Sequence, residues 1–326
     1  MTPEIPDGDS FYKAEGVPIM DRILDVGGYG DKVRLDAGRI TVQRRDGTST
    51  FVPLDDVAVL MLSEQGSSVS VAVLAELAKH DATAVVCDRS HIPVGIYQPI
   101  AAHTRQTGIL LRQIAVRPLL RARLWQRIVR AKINAQAQAL ARYGRRDAEL
   151  EALAKDVRRG DAQNAEGHAA LRYWRRLGLF ERRDRFAHDA NMPLNYAYAV
   201  LHGSTVRALC CAGLNTSLGI NHCGPANPHC LASDLMEPFR PVADCAVRDW
   251  LTANPDTFEL TSKCKRHLLG TLLSSRWRTR QGVMPFFLAL SHAAVSLRDC
   301  LLGNTVELDV PTQVFEEDKD VDSCAV

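Results

Sequence analysis

Residues 39–62 read RITVQRRDGTSTFVPLDDVAVLML and contain three strand signals. Apolar and polar side chains alternate over residues 39–45, which is typical of a strand with one buried face. Asp46-Gly47 is the strongest short signal for a tight hairpin turn, so the stretch after it is predicted to return as the partner strand. Residues 57–62 are continuously apolar, which predicts a strand buried on both faces.

The sequence around this stretch continues the β-rich pattern through the N-terminal third of the chain. Residues 69–80 carry apolar side chains near one side of a helix. Residues 83–87 form a second apolar run, and we expect a last strand over residues 92–97. Residues 1–98 are therefore predicted to form a small β-rich domain with one helix.

After Pro99 the strand signals stop and helical spacing takes over. Apolar residues at this spacing predict long helices over residues 105–143, 162–179, 194–212, 234–253 and 261–302, the last with breaks. The predicted fold class is thus α+β, in which the small β-rich domain is followed by a larger all-α domain over residues 99–303. Residues 304–326 are acidic and poorly periodic, which predicts a flexible tail.

The chain has 326 residues, of which 46% are hydrophobic and 24% charged, and these values exclude a disordered or collagen-like protein. It has neither a secretory signal nor an apolar run of the roughly 18 residues needed to cross a bilayer, so we expect a cytoplasmic protein with reduced cysteines and no membrane partner. The net charge is only +2, yet residues 105–185 hold 20 Lys and Arg against 8 Asp and Glu. This distribution predicts that the middle of the chain binds a polyanion.

Unusual residues are densest over residues 219–241, GINHCGPANPHCLASDLMEPFRP. Asp234 and Glu237 are three residues apart, so on a helix their carboxylates would share a face, over which His222 could fold. One imidazole and two carboxylates suit Mn²⁺ or Mg²⁺, which can polarise a phosphodiester. The spacing alone favours a helix-capping arrangement over a metal site.

A second candidate is Glu166, which would lie in the first turns of a helix capped by Asp161 or Asn164. The helix dipole by itself also explains a glutamate at this position, because it favours negative charge in the first turn of a helix. Two groups of basic residues are candidates for DNA contact. One group follows Glu166, and the other surrounds Trp277, whose ring could stack on an unpaired base. These candidates are Arg172, Arg175, Arg176, Arg276 and Arg278.

Three motifs together resemble one family. They are residues 219–241, residues 191–201 (NMPLNYAYAVL) and residues 161–174 (DAQNAEGHAALRYW). The chain resembles the CRISPR-associated spacer-acquisition endonuclease and integrase, the first Cas protein family, and is most similar to its type II subtype. The resemblance covers most of the chain, from about Tyr29 to Arg298, and includes the order of a β-rich part before a helical part.

The resemblance implies a homodimer formed through the N-terminal domain and a metal-dependent active site in the helical domain. Glu166, His222 and Glu237 match the catalytic and metal-binding positions, and Asp234 is a further ligand or orients His222. The implied reaction joins the 3′-hydroxyl ends of spacer DNA to the repeat array by transesterification with Mg²⁺ or Mn²⁺, and hydrolysis at the same site gives endonuclease activity. The implied partners are double-stranded DNA, a dimer of the small second Cas protein, and the type II effector nuclease as a further candidate.

Two other classes of protein stay open from the residues alone. A non-catalytic DNA-binding scaffold would use the acidic cluster only as a helix cap. A zinc-stabilised helical protein would use Cys223 and Cys230, next to His222 and His229, although adjacent ligand pairs are geometrically awkward.

Overall fold

The computed structural model describes residues 21–99, 103–180, 189–255 and 257–315. Within these ranges, no helix is both long and apolar enough to span a membrane. A strand-rich region comes first and a helical region follows, which confirms the predicted α+β class.

The first region contains eight strands and one helix in the part of the chain described. They are β1 (Arg22–Val26), β2 (Lys32–Asp36), β3 (Arg39–Gln43), β4 (Ser49–Pro53), β5 (Val57–Leu62), β6 (Ser68–Val69), α1 (Val71–Lys79), β7 (Thr83–Cys87) and β8 (Pro93–Tyr97). One sheet has the order β4-β3-β2-β6 and the other has the order β1-β5-β7-β8. Every strand and the helix predicted over residues 39–97 are present.

The hairpin between β3 and β4 forms where Asp46-Gly47 predicts it. Gly47 has a φ of 86°, in the left-handed region that glycine adopts without strain. Asp46 Oδ1 accepts a hydrogen bond of 2.9 Å from the Thr48 N–H, which closes the turn. The strands then pair antiparallel with Gln43 opposite Ser49.

Strand β5 lies between β1 and β7, is parallel to both, and links the two regions of the protein. Its side chains alternate between two cores: Val57 and Leu60 pack in the β-rich core, whereas Val59 and Met61 pack against helices of the second region. This is why residues 57–62 are apolar throughout, as expected of a strand covered on both faces.

The second region contains nine helices within the described ranges. They are α2 (Gln106–Ile114), α3 (Pro118–Arg142), α4 (Ala148–Asp156), α5 (Ala165–Leu177), α6 (Asn191–Cys211), α7 (Cys230–Leu235), α8 (Arg240–Ala253), α9 (Ser262–Ser274) and α10 (Phe286–Leu302). The predicted helix over residues 105–143 divides before Pro118, because proline favours the first turn of a helix and disrupts its interior. Helix α6 is buried on nearly all sides and packs against β5 and β7 as well as α8 and α10.

The helical region also contains a small sheet that the sequence did not predict. Its strands are β9 (Arg276–Thr279), β10 (Gly282–Pro285) and β11 (Thr312–Val314), in the order β10-β9-β11. Strand β11 lies within the predicted flexible tail, and Leu308 before it is buried, so residues up to 315 pack on the folded protein. The remainder of the predicted tail, residues 316–326, lies outside the described residues.

Candidate active site

The candidate site lies where three parts of the helical region meet. They are the middle of α3, the first turn of α5, and the loop and short turn on either side of α7. Glu166 comes from α5, His222 from the loop before α7, Asp234 from α7 itself and Glu237 from the turn after it, and α3 contributes Lys132. The structure therefore brings together the four residues that the sequence singled out from separate motifs.

Asp234 fixes the loop that carries His222. It is fully buried and accepts four hydrogen bonds, two at each carboxylate oxygen. Oδ2 accepts from the backbone N–H groups of Ile220 (2.6 Å) and Asn221 (3.1 Å). Oδ1 accepts from the His222 N–H (3.1 Å) and lies 2.6 Å from His222 Nδ1. The interpretation of Asp234 as a helix cap is wrong, because it lies in the last turn of α7 and binds the preceding loop.

The imidazole of His222 is held on two sides. Asp234 fixes Nδ1, and the ring of Trp125 packs edge-on with the centroids 5.8 Å apart. The hydrogen bond to Asp234 raises the pKa of His222 above its ordinary value despite partial burial, and the charges of Glu237 and Glu166 add to this effect. A carboxylate that accepts the Nδ1 proton leaves the lone pair of Nε2 available as a ligand.

Glu166 is positioned by the start of α5. Asp161 accepts hydrogen bonds from the N–H groups of Ala165 (2.8 Å) and Glu166 (3.1 Å), and Asn164 accepts one from the Gly167 N–H (3.3 Å). Both caps predicted for this helix are therefore present. They fix the backbone of the turn from which the Glu166 carboxylate extends toward α3.

Lys132 lies between the two glutamates. Its ammonium nitrogen is 2.7 Å from Glu166 Oε1 and 2.6 Å from Glu237 Oε2. Arg240 binds the other Glu237 oxygen, with Nε 2.9 Å from Oε1. Although burial alone would raise the pKa of Glu237, Arg240 and Lys132 outweigh it and hold the pKa below its ordinary value. Burial likewise lowers the pKa of Lys132, but the two carboxylates more than reverse this, so the amine is charged at neutral pH.

The donor set fits a hard divalent cation. Two carboxylates already converge on one positive group, because Glu166 Oε1 and Glu237 Oε2 both contact Lys132 Nζ. Carboxylate oxygens and a neutral imidazole are ligands that suit Mg²⁺ and Mn²⁺. Among the described residues, however, no three His, Cys, Asp or Glu side chains are arranged so that they could hold a metal ion. Lys132 lies between Glu166 and Glu237 instead.

The residues of the zinc alternative have separate partners. Cys230 Sγ donates to the backbone oxygen of Asn227, and Cys223 is exposed. His229 Nδ1 is 2.9 Å from Thr216 Oγ1, while His222 is bound to Asp234. In the part of the chain that the structure describes, these four side chains do not converge, so the geometry gives the zinc alternative no support.

The arginines predicted to bind DNA differ in their surroundings. Arg175 is exposed, whereas Arg172 and Arg176 both contact the buried carboxylate of Asp147, with Nε–Oδ2 distances of 2.5 and 2.6 Å. This pairing gives Arg172 and Arg176 a structural role in joining α5 to α4. Contact with DNA stays a prediction for all three residues.

Around β9 the structure corrects one prediction. Arg276 and Arg278 project outward from the strand, as residues two apart on a strand do. Trp277 between them is fully buried, donates a hydrogen bond of 2.8 Å to Ser275 Oγ, and packs 4.5 Å from the ring of Phe239. The prediction that Trp277 stacks on an unpaired base is therefore wrong, because its ring belongs to the hydrophobic core.

Sequence reasoning missed Lys132 and Arg240 as members of the site. A signal existed for each. Lys132 lies seven residues after Trp125 and four after Ile128, so helical spacing places it on the buried face of α3 rather than with the exposed arginines. Arg240 follows Glu237 by three residues, the spacing of a helical ion pair.

The fold and the site define a class of α+β protein. In this class a β-rich region is followed along the chain by a helical region, which contains a cluster of carboxylates and a histidine. The family model described as CRISPR associated protein Cas1 matches residues 24–274. The CRISPR-associated endonuclease Cas1 of Neisseria meningitidis serogroup C is 38% identical over 247 residues, which are 73% of this chain and 81% of that relative. The chain therefore belongs to the Cas1 family of CRISPR-associated proteins, and the meningococcal relative supports the predicted likeness to the type II subtype.

More distant relatives agree on the family and the fold. A CRISPR-associated endonuclease Cas1 of Pyrobaculum aerophilum is 30% identical over 240 residues, which are 68% of this chain and 80% of the relative. A casposase bound to its integration product superposes with a TM-score of 0.72 at 18% identity, covering 88% of this chain and 92% of that one. A Cas1 protein from Thermotoga maritima gives a TM-score of 0.70 at 15% identity, covering 86% and 97%. At these identities the two structures establish the fold alone.

Proposed function

We propose that this protein is a metal-dependent DNA endonuclease and integrase of CRISPR adaptation, which joins the 3′-hydroxyl ends of spacer DNA to the repeat array by transesterification. Membership of the Cas1 family and the name endonuclease carried by its relatives support the reaction class. The observation that carries the proposal is the convergence of Glu166 and Glu237 on one buried positive group, next to a histidine whose Nδ1 is fixed by Asp234.

In this proposal Glu166, His222 and Glu237 hold Mg²⁺ or Mn²⁺. When bound, such an ion polarises a phosphodiester and favours the deprotonated form of an attacking hydroxyl. Of the two roles predicted for Asp234, the orientation of His222 fits its four hydrogen bonds better than direct ligation, since both of its oxygens are already occupied.

The residues of this chain prepare the site in three ways. Asp234 keeps the Nε2 lone pair of His222 available by accepting the proton at Nδ1, and Trp125 limits rotation of the ring. The caps at the start of α5 fix Glu166. Burial of Glu237 beside Arg240 excludes water from one side of the site, so a charge that develops on the phosphate is stabilised more strongly than in bulk solvent.

We also propose the partners that follow from this reaction. Double-stranded DNA would lie across the exposed arginines, including Arg175, Arg276 and Arg278, and Arg172 and Arg176 would add to the positive field while bound to Asp147. Similar chains occur in a Cas1–DNA complex and in a Cas6-RT-Cas1–Cas2 complex, which supports DNA and the small second Cas protein as partners. A homodimer formed through the domain of residues 1–98, catalysis within residues 99–303, and contact with a type II effector nuclease complete the proposal.

The test uses the purified chain with duplex DNA carrying free 3′-hydroxyl ends, a supercoiled plasmid and the second Cas protein, in Mn²⁺, Mg²⁺ or chelator. We expect metal-dependent joining that is lost in His222→Ala and Glu237→Ala while DNA binding persists. His168→Ala is the matched control, because His168 is an exposed histidine two residues from Glu166 on α5. Unchanged joining by His222→Ala would refute the assignment, and DNA binding without strand chemistry in any metal would favour the non-catalytic scaffold.

A further inference from the structure

We propose that the positively charged ammonium group of Lys132 holds Glu166 and Glu237 together in the metal-free protein. This group must leave Glu237 when a divalent cation binds. Lys132 would thereby set the affinity of the site for its metal. The inference rests on the proposed function, because it takes these two glutamates as metal ligands.

The charge of Lys132 lies between the two glutamates. Lys132 Nζ contacts both carboxylates at hydrogen-bond distance, and the exposed fractions of the side chains are only 12% for Lys132 and 6% for Glu237. Two carboxylates that face one poorly solvated space repel each other unless a positive charge lies between them. Lys132 supplies that charge, so the two ligands stay close together before any metal arrives.

Each oxygen of Glu237 already faces a positive group. Arg240 Nε already binds Glu237 Oε1, and Lys132 Nζ is 2.6 Å from Glu237 Oε2. A divalent cation that binds Glu237 therefore competes with one of these two positive groups for a carboxylate oxygen. The lack of a finished three-ligand metal site among the described residues agrees with this competition.

Arg240 and Lys132 differ in the other contacts that hold them. Arg240 is partly buried and lies over the ring of Tyr198, with its guanidinium carbon 4.6 Å from the ring centroid. Tyr198 is fixed in turn by a hydrogen bond of 2.5 Å from its hydroxyl to Asp244. Among the described residues, Lys132 has no ion pair or hydrogen bond beyond the two carboxylates, and its unbranched side chain can change rotamer. Lys132 is thus the group that withdraws.

The test measures Mn²⁺ binding to the full chain without DNA by isothermal titration calorimetry. Lys132→Met removes the charge but keeps a similar length, so we expect Mn²⁺ to bind at least about tenfold more tightly than to the wild type. Without metal, the unrelieved repulsion between the glutamates should lower the melting temperature, and Mn²⁺ should raise it by more than in the wild type. Lys155→Met, which changes an exposed lysine on α4, is the matched control and should leave the affinity unchanged.

Lys132→Arg keeps the inference falsifiable if Lys132→Met does not fold. An arginine keeps the charge and can engage both carboxylates through its planar fork, so it should weaken Mn²⁺ binding severalfold. Binding that is unchanged or weaker in Lys132→Met, or not weakened in Lys132→Arg, would overturn the inference.

Two further variants separate this inference from the proposed function. If Glu166→Gln and His222→Ala abolish Mn²⁺ binding while the Lys132 variants bind like the wild type, the metal site is correct and only the role of Lys132 is wrong. If Glu166→Gln and His222→Ala also bind like the wild type, the metal site itself is wrong, and the inference is refuted with it.

Discussion

Replacing Asp234 by asparagine tests how the site holds His222, because it removes one charge and keeps the size of the side chain. Both oxygens of Asp234 act only as acceptors, and each has two neighbours. An asparagine amide offers one oxygen and one NH₂ group, so one of these pairs of neighbours must face a donor.

The structure decides which pair that is. An NH₂ group in the place of Oδ2 would face the backbone N–H groups of both Ile220 and Asn221. In the place of Oδ1 it would face one backbone N–H and the ring nitrogen Nδ1 of His222, which can become an acceptor by moving its proton to Nε2. The second arrangement leaves a single unpaired N–H, at a cost of about 1–3 kcal/mol in the free energy of unfolding.

Moving the His222 proton from Nδ1 to Nε2 also removes the lone pair with which Nε2 would bind a metal. We therefore expect Asp234→Asn to remain folded, to unfold at about 1–3 kcal/mol lower free energy in urea, and to bind Mn²⁺ roughly 10- to 100-fold more weakly in calorimetry. Nitrogen-15 NMR of the imidazole should show the proton on Nε2. Asp299→Asn is the control, since Asp299 on α10 contacts the adjacent Arg298. Wild-type Mn²⁺ affinity in Asp234→Asn, or a proton retained on Nδ1, would refute this reasoning.

Three further predictions concern packing, pH and DNA contact. A Cβ atom at Gly203 on α6 would lie 2.4 Å from Val85 Cγ2 on β7, so Gly203→Ala should lower the free energy of unfolding by about 1–3 kcal/mol in urea, whereas Gly224→Ala meets no neighbour and should have little effect. Although burial raises the pKa of Asp147, hydrogen bonds from Arg172 and the Leu150 N–H lower it overall, so the carboxylate stabilises the fold above its ordinary pKa. The melting temperatures of wild type and Asp147→Asn should therefore differ most near neutral pH and converge as the pH falls below 3.8; a constant difference would contradict this. Finally, changing Arg276 and Arg278 to alanine should weaken DNA binding for all sequences and reduce the salt dependence of the affinity by about two phosphate contacts, and an unchanged salt slope would exclude them from the DNA surface.

The β-rich region was predictable because its signals are local. The alternation over β3, the Asp46-Gly47 turn and the apolar run of β5 each specify one structure within a few residues. The start of α5 was predictable for the same reason, since its capping residues lie within five positions of Glu166.

Features that depend on distant pairing were not predictable in this way. Strand β11 pairs with β9 although more than thirty residues separate them, and both strands are short. Trp277 is flanked by arginines and therefore reads as exposed, yet alternation along β9 turns it into the core. A short strand in a mainly helical region has too few residues for its period to stand out.

The contacts within the candidate site were not predictable from the sequence. The spacing of Asp234 and Glu237 suggested a shared helix face, but Asp234 binds the loop of His222 while Glu237 faces Lys132 and Arg240. Those contacts join residues from different helices, so only the folded chain reveals them.

The most direct test of the central claim, that Glu166, His222 and Glu237 form one site for metal-dependent transesterification, compares two DNA fragments that differ only at the end. One carries a 3′-terminal hydroxyl and the other a 3′-terminal hydrogen, and each is incubated with repeat DNA, the second Cas protein and Mn²⁺. The account predicts a joined product from the hydroxyl end alone, and its loss in Glu166→Gln but not in Glu76→Gln, which changes a partly exposed glutamate paired with Lys79 on α1. Joining of the fragment that lacks the hydroxyl, or undiminished joining by Glu166→Gln, would contradict it.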